Sequence, residues 1–119
     1  ELSRFLLALK VCLTAGNDGL TLIFDEIDRG VGGATADAVG RRLAALAEGS
    51  QVLVVTHQPQ VAAKGNQHLL VTKTGDETVH SELAMLNGQA RIEEVGRMLG
   101  GAKLTESTLA HAKEMLESR

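Results

Sequence analysis

Two short apolar segments constrain the fold of this chain more than any other feature of its sequence. They are residues 20–24 and residues 51–56 (QVLVVT), and neither shows the alternation of apolar and polar residues that is typical of a half-exposed strand. Continuous apolar character over this length is typical of parallel strands that are covered on both faces. Because residues 34–47 between them carry an amphipathic helical pattern, the sequence predicts an α/β fold with a mostly parallel sheet and flanking helices.

The segments on either side of this strand-helix-strand unit complete the predicted architecture. Large apolar residues of segment 2–13 recur at helical spacing and predict an N-terminal helix. Residues 68–73 and 78–86 flank a turn sequence, which predicts a hairpin that adds an antiparallel edge to the sheet. Further helices are predicted to start at Pro59 and to cover residues 91–99 and 105–118, the last with Thr105 as its N-cap.

Composition excludes some classes of function. The 119 residues are 44% hydrophobic and 23% charged, as expected of one small globular domain. The net charge of −3 gives no overall attraction to nucleic acid, and a chain without Trp or Tyr lacks the aromatic platforms on which single strands stack. A single cysteine, Cys12, excludes an internal disulfide, and no apolar run approaches the roughly 20 residues of a membrane span. We therefore expect a cytoplasmic protein with no membrane partner.

Polar residues that can carry chemistry follow both apolar segments. Asp25 and Glu26 come directly after the first segment, and His57 follows the second. The carboxyl ends of parallel strands meet at the sheet edge where α/β proteins bind ligands, so we expect these side chains to lie close together. An apolar strand followed by Asp-Glu is the pattern by which P-loop hydrolases present one carboxylate to Mg²⁺ and the next to the attacking water. A histidine there can contact the γ-phosphate or that water.

Each of these residues also has a purely structural interpretation. The two acids can simply solvate a strand end or cap the next turn, and a lone histidine at a strand end is usually structural. The third acid, Asp28, precedes the sequence GVGG, which matches no phosphate-binding glycine pattern, so local chemistry alone favours a flexible turn with a helix cap. The remaining histidines, at positions 68, 80 and 111, lack the spacing of metal ligands and are expected on the surface or in the hairpin.

Longer sequence motifs resemble one family. TLIFDEIDRGVGG followed by VLVVTHQPQVAA resembles the C-terminal part of the ATPase head of RecN, a family of SMC-like, ABC-type ATPases in bacterial DNA repair. The opening ELSR looks like the second half of the family signature LSGGELSR, and RIEEVGRMLGG with LTESTLAHAKEML resembles the family's C-terminal end. The resemblance extends from Glu1 to Ser118. It implies that residues 1–119 form the C-terminal lobe of an ATPase head, with the Walker A lobe and the coiled coil outside this sequence.

The resemblance also implies roles for individual residues. Asp25 corresponds to the Walker B magnesium ligand, Glu26 to the catalytic base and His57 to the switch histidine. Asp28 looks like the D-loop acid that reaches across a dimer interface. Glu1 and Ser3 match the signature tail, which in such proteins faces the nucleotide of the partner head. The implied cofactors are ATP and Mg²⁺.

Implied partners are the N-terminal head lobe of the same protein, a second head in a homodimer, and DNA, in a nucleoid-associated protein. Because the sequence lacks the GxxxxGK[ST] loop that holds the β- and γ-phosphates, we expect these residues alone to bind ATP weakly and not to hydrolyse it. Three different functions stay open. They are the head of another ABC-type ATPase, a non-catalytic dimerisation or regulatory lobe, and a Mg²⁺-dependent phosphoryl-transfer domain that needs no P-loop.

Overall fold

A computed structural model describes residues 21–26, 28–101 and 103–118. The predicted N-terminal helix, Cys12 and the signature residues Glu1 and Ser3 lie outside the described residues. The chain divides into two compact units, the first ending at Lys64 and the second spanning Gly65–Ser118. The elements of the first unit are β1 (Thr21–Asp25), α1 (Gly33–Leu46), β2 (Gln51–Val55) and α2 (Pro59–Ala62). Those of the second are β3 (His68–Thr74), β4 (His80–Leu86), α3 (Gly88–Gly100) and α4 (Glu106–Glu117).

The first unit is a parallel strand pair joined by a crossover helix. Strands β1 and β2 are parallel, in a register that runs from Thr21 opposite Gln51 to Asp25 opposite Val55. The predicted parallel arrangement and the intervening helix are therefore confirmed. A core of buried residues from β1, α1 and α2 covers one face of the pair, and it consists of Phe24, Ala36, Val39, Leu43 and Val61.

The expectation that both faces of these strands are covered is wrong for the described part of the chain. Phe24 is 1% exposed, whereas Ile23 is 65% and Val55 53% exposed. Successive side chains of a strand point to opposite faces, so packing α1 against one face buries alternate residues only. Continuous apolar sequence indicates that a strand can be buried on both sides, but it does not specify what covers the second side.

Helix α2 packs closely against α1 because of a glycine. A methyl group at Gly40 would lie 3.1 Å from the carbonyl oxygen of Gln60 and 3.3 Å from Cα of Val61, both backbone atoms of the facing helix. Pro59 occupies the first turn of α2, as predicted, where a missing N–H costs no hydrogen bond. The close contact of α1 with α2 at Gly40 fixes the position of α2, which follows shortly after β2.

The second unit contains the predicted hairpin and two helices. Strands β3 and β4 pair antiparallel from His68 opposite Leu86 to Thr74 opposite His80. The expected addition of this hairpin to the edge of the parallel sheet is wrong, since in the described residues each strand pair forms its own two-stranded sheet. Alternation in the sequence predicts which residues of a hairpin share a face, but it carries no information about the strand that lies beside it.

Helices α3 and α4 pack against each other within the second unit. Val95 of α3 and Ala112 of α4 are both fully buried. Thr105 is the N-cap of α4, as predicted, and its side-chain oxygen accepts a hydrogen bond of 3.2 Å from the backbone N–H of Thr108. Within the described residues, no helix combines the length and the apolar character needed to cross a bilayer.

Candidate functional site

The chain changes direction sharply at Glu26, directly after β1. The backbone N–H of Glu26 donates a 2.8 Å hydrogen bond to the carbonyl oxygen of Val55, which continues the strand pairing. Its φ angle of 49° is the only positive value at a non-glycine residue in the described part of the chain. An L-residue in this left-handed conformation costs about 1–2 kcal/mol. Such strain is concentrated at functional sites, because the surrounding structure must hold it in place.

Glu26 meets His57 at the shared end of the two strands. The distance from Nε2 of His57 to Oε1 of Glu26 is 2.8 Å, and the imidazole side chain is 87% exposed and the carboxylate side chain 34% exposed. A polar contact so open to water contributes little to stability. The structure thus brings two predicted site residues together at a position that a ligand can reach from solvent.

Asp25 is the last residue of β1, and its side chain is exposed. No group of three or more His, Cys, Asp or Glu residues in the described chain is arranged to hold a metal ion. A single exposed carboxylate nevertheless suits Mg²⁺, because this ion takes oxygen ligands and completes its shell with waters and substrate phosphates. Among the described residues, the donor set therefore fits an ion held jointly by Asp25 and a bound phosphate, and does not fit a site made of protein groups alone.

Asp28 lies buried within its own chain. It is 2% exposed, and its carboxylate accepts a hydrogen bond from the Thr56 hydroxyl. The helix-cap interpretation is wrong, since the N-cap of α1 is Gly32 and has no side-chain cap. The contacts of Asp28 with a second subunit and with nucleotide, which the resemblance implies, stay predictions.

Two residues of the site were missed by sequence reasoning. Thr56, which directly follows β2, donates to Asp28 and also accepts a 2.9 Å hydrogen bond from the backbone N–H of Gln58. The side-chain amide of Gln58 donates to the carbonyl oxygen of Val31 at 3.3 Å. The one available signal was a hydroxyl side chain at the end of the otherwise apolar segment that precedes His57.

The other histidines lie outside this site. His80 and His111 are exposed, as expected, whereas His68 is partly buried at the start of β3. Burial is the main cause that lowers the pKa of His68 from 6.5, and the positive charge of Arg91 acts in the same direction. The negative charge of Glu94 opposes both effects.

Comparisons with known proteins show what this chain is similar to. No protein-family model matches the sequence. The DNA repair protein RecN of Streptomyces coelicolor is 49% identical over 119 residues, which are 99% of this chain and 21% of that protein. RecN of Mycobacterium leprae is 48% identical over 118 residues, with 99% of this chain and 20% of that protein covered. This chain is related to RecN. It spans about a fifth of the length of these RecN relatives.

A solved structure supports the fold of this RecN-related chain. It comes from work on ATP-driven dimerization and DNA-stimulated activation of SMC ATPases, and it aligns with a TM-score of 0.67 and 18% sequence identity. The alignment covers 82% of this chain and 58% of that one. The RecN-related chain therefore has an α/β fold that is similar to that of an SMC ATPase.

Proposed function

We propose that this RecN-related chain is the C-terminal lobe of an ATP-hydrolysing head in a DNA repair protein. The observation that carries the proposal is the Glu26–His57 pair, 2.8 Å apart at the ends of adjacent parallel strands and open to solvent. Nucleotide hydrolysis needs an acceptor for a proton of the attacking water and a donor near the γ-phosphate, and this pair offers both. The similarity to RecN selects this chemistry from among the reactions that a carboxylate and an imidazole can support.

Each residue has a distinct part in the proposed reaction. Glu26 accepts the proton from the attacking water, and His57 orients the carboxylate and donates to the γ-phosphate. Asp25 holds Mg²⁺, which supplies neutralisation of the phosphate charge when it is bound. Glu1 and Ser3 of the signature tail contact nucleotide on the partner head. This last assignment rests on the motif ELSR alone.

The proposed partners follow from what the sequence lacks. It contains no GxxxxGK[ST] loop to hold the β- and γ-phosphates, so an N-terminal lobe of the same protein must supply one. Two such heads close around ATP as a homodimer, and DNA is handled by the full-length protein, which we place in the cytoplasm at the nucleoid. The 119 residues alone are therefore expected to be inactive.

Replacement of the proposed base tests the function. Glu26→Gln in the full-length protein should lower ATP turnover by about a hundredfold to ten-thousandfold and should leave ATP binding intact. Glu48→Gln is the matched control, because Glu48 is exposed and lies in the same unit, after α1. Unchanged turnover in Glu26→Gln would overturn the catalytic assignment in favour of a dimerisation or regulatory lobe.

Two further assays distinguish the proposed head lobe from a phosphoryl-transfer domain without a P-loop and from another ABC-type ATPase. Mg²⁺-dependent ATP hydrolysis by the 119-residue chain alone would contradict the need for a separate Walker A lobe, and would favour the phosphoryl-transfer domain. Turnover by the full-length protein that is insensitive to double-stranded DNA ends would favour another ABC-type ATPase. We expect no hydrolysis in the first assay and stimulation by DNA in the second.

A further inference from the structure

Two loops that follow the paired strands contain Glu26 and His57 and bind each other. The first loop, of which residues 26 and 28–31 are described, follows β1, and the second loop, residues 56–58, follows β2. The Thr56 hydroxyl donates to the Asp28 carboxylate, and the Gln58 side chain donates to the carbonyl oxygen of Val31 at 3.3 Å. Side chains of the second loop thus bind the first loop at two points.

Thr56 is the centre of this connection. Its hydroxyl donates to Asp28 while it accepts the Gln58 backbone N–H at 2.9 Å, which uses both its donor and an acceptor site. Asp28 is 2% exposed, so water has little access to compete for this hydrogen bond. A hydrogen bond to an ionised carboxylate is also stronger than one between neutral groups. The connection is therefore well suited to fix the two loops against each other.

His57 lies between Thr56 and Gln58, the two residues of the second loop that bind the first loop. Its side chain is 87% exposed, so among the described residues its contact with Glu26 is the main side-chain restraint on the ring. The direction of the imidazole consequently depends on the backbone at Thr56 and Gln58. That backbone is fixed by the hydrogen bond from the Gln58 N–H to the Thr56 hydroxyl, and the hydroxyl is in turn fixed by Asp28.

We infer that Asp28 and Thr56 are positioning residues that hold His57 opposite Glu26. The inference rests on the proposed function, and it assigns Asp28 a role within its own chain, as an alternative to the contact with a partner head that the resemblance implies. Neither residue touches the reacting atoms. Loss of their hydrogen bond should release the second loop, and the 2.8 Å contact between Nε2 of His57 and Oε1 of Glu26 should then be populated less often.

The first experiment removes the Thr56 hydroxyl from the full-length protein. We expect Thr56→Val to lower kcat for ATP about tenfold to a hundredfold, since a buried hydrogen bond to a charged group is lost, with KM changed less than about threefold. Thr56→Ser keeps the hydroxyl and should retain kcat near the original value. Unchanged kcat in Thr56→Val, or an equal loss in Thr56→Ser, would overturn the inference.

A matched control lies at the other end of the same strand pair. Thr21 donates a 3.0 Å hydrogen bond from its hydroxyl to the side-chain oxygen of Gln51, which also joins β1 to β2. Thr21→Val removes this bond far from His57 and should leave kcat unchanged. A loss as large as that of Thr56→Val would show that any weakening of the strand pair lowers turnover, and the positioning role would be rejected.

The second experiment asks in which subunit Asp28 acts. Glu26→Gln and Asp28→Ala subunits are co-expressed with different affinity tags, and the mixed dimer is purified through both tags. If Asp28 positions His57 in its own chain, one site of the mixed dimer lacks the base Glu26, and the other lacks the positioning residue Asp28. Turnover should then stay at or below half that of the Asp28→Ala homodimer.

A cross-subunit role predicts the opposite result. One site of the mixed dimer would then contain an intact Glu26 and an intact Asp28 from the other chain, and turnover would rise to about half that of the unmodified dimer. Such a rise would refute the inference, as would full turnover in the Asp28→Ala homodimer. The mixed-dimer experiment tests the positioning role of Asp28 even if Thr56→Val does not fold. Full turnover in Glu26→Gln would instead refute the proposed function itself.

Discussion

The left-handed backbone at Glu26 predicts an unusual response to substitution. Both Glu26→Ala and Glu26→Gly remove the carboxylate and its contact with His57, but only glycine adopts the φ of 49° without strain. Release of that strain is worth about 1–2 kcal/mol, and glycine returns about 0.5–1 kcal/mol through the entropy of the unfolded chain. We therefore expect Glu26→Gly to be more stable than Glu26→Ala by about 1 kcal/mol.

Arg29 provides the control for this comparison. It is exposed in the same loop, and Glu26 is the only described non-glycine residue with positive φ, so here alanine should be more stable than glycine by about 0.5–1 kcal/mol. The measurement is backbone hydrogen exchange of β1 and β2 in all four variants, which reports the local opening free energy. If alanine is as stable as glycine at position 26, the strained conformation is not a property of the protein and the argument from strain fails.

This prediction separates stability from activity at one residue. The more stable Glu26→Gly variant should still lack ATP turnover, because it has no carboxylate to accept a proton. Glu26 thus occupies a conformation that glycine adopts without strain, as expected where a functional side chain is held at a cost in stability. Recovery of turnover in Glu26→Gly would contradict this account and the assignment of the base together.

Two further predictions concern packing and pH. Gly40→Ala should destabilise the first unit by about 1 kcal/mol despite better helix propensity, since the new methyl group meets backbone atoms of α2 at 3.1 and 3.3 Å. Gly96→Ala should instead be neutral or stabilising by up to about 1 kcal/mol, because its nearest neighbours are the Cδ2 atoms of Leu104 and Leu109 at 3.2 and 3.5 Å, which can move. Hydrogen exchange in α1 and α3 measures both changes, and equal destabilisation would contradict the packing argument. The folded-state pKa of His68 is lowered from 6.5, so the unfolded chain binds its proton more readily and stability should fall as the pH drops below 6.5. Hydrogen exchange measured in β3 above and below that pH should show this loss of stability, and the loss should be smaller in His68→Gln. An unchanged pH dependence in His68→Gln would refute the assignment of the effect to His68.

The main features of the candidate site could be predicted from the sequence. Two apolar segments separated by a helical pattern predicted parallel strands, and the carboxyl ends of such strands lie at one edge. That geometry brings Glu26 and His57 together although 30 residues separate them, and the structure places their side chains 2.8 Å apart. The pattern of an apolar strand followed by Asp-Glu suggested roles in nucleotide hydrolysis, and the resemblance to RecN assigned those roles to individual residues.

The position of Asp28 could not be predicted in the same way. Its neighbours Glu26 and Arg29 are partly or fully exposed, and nothing in the letters DEIDRGVGG indicates that the third acid turns inward. Burial of a carboxylate requires a donor at the right place, and the donor is Thr56 on a different loop. Only the folded chain shows that the two residues meet.

The sequence by itself determined the order and type of the described elements, the parallel sense of β1 and β2, and the pair of side chains that this arrangement brings together. These features follow from local periodicity and from the geometry of a crossover connection, which short stretches of sequence encode. The tertiary structure alone decided that one face of the strand pair stays exposed, that the hairpin forms a separate sheet, and that Asp28 binds Thr56. These features depend on contacts between residues far apart in the chain, and a local pattern does not specify the partner of a face, an edge or a buried charge.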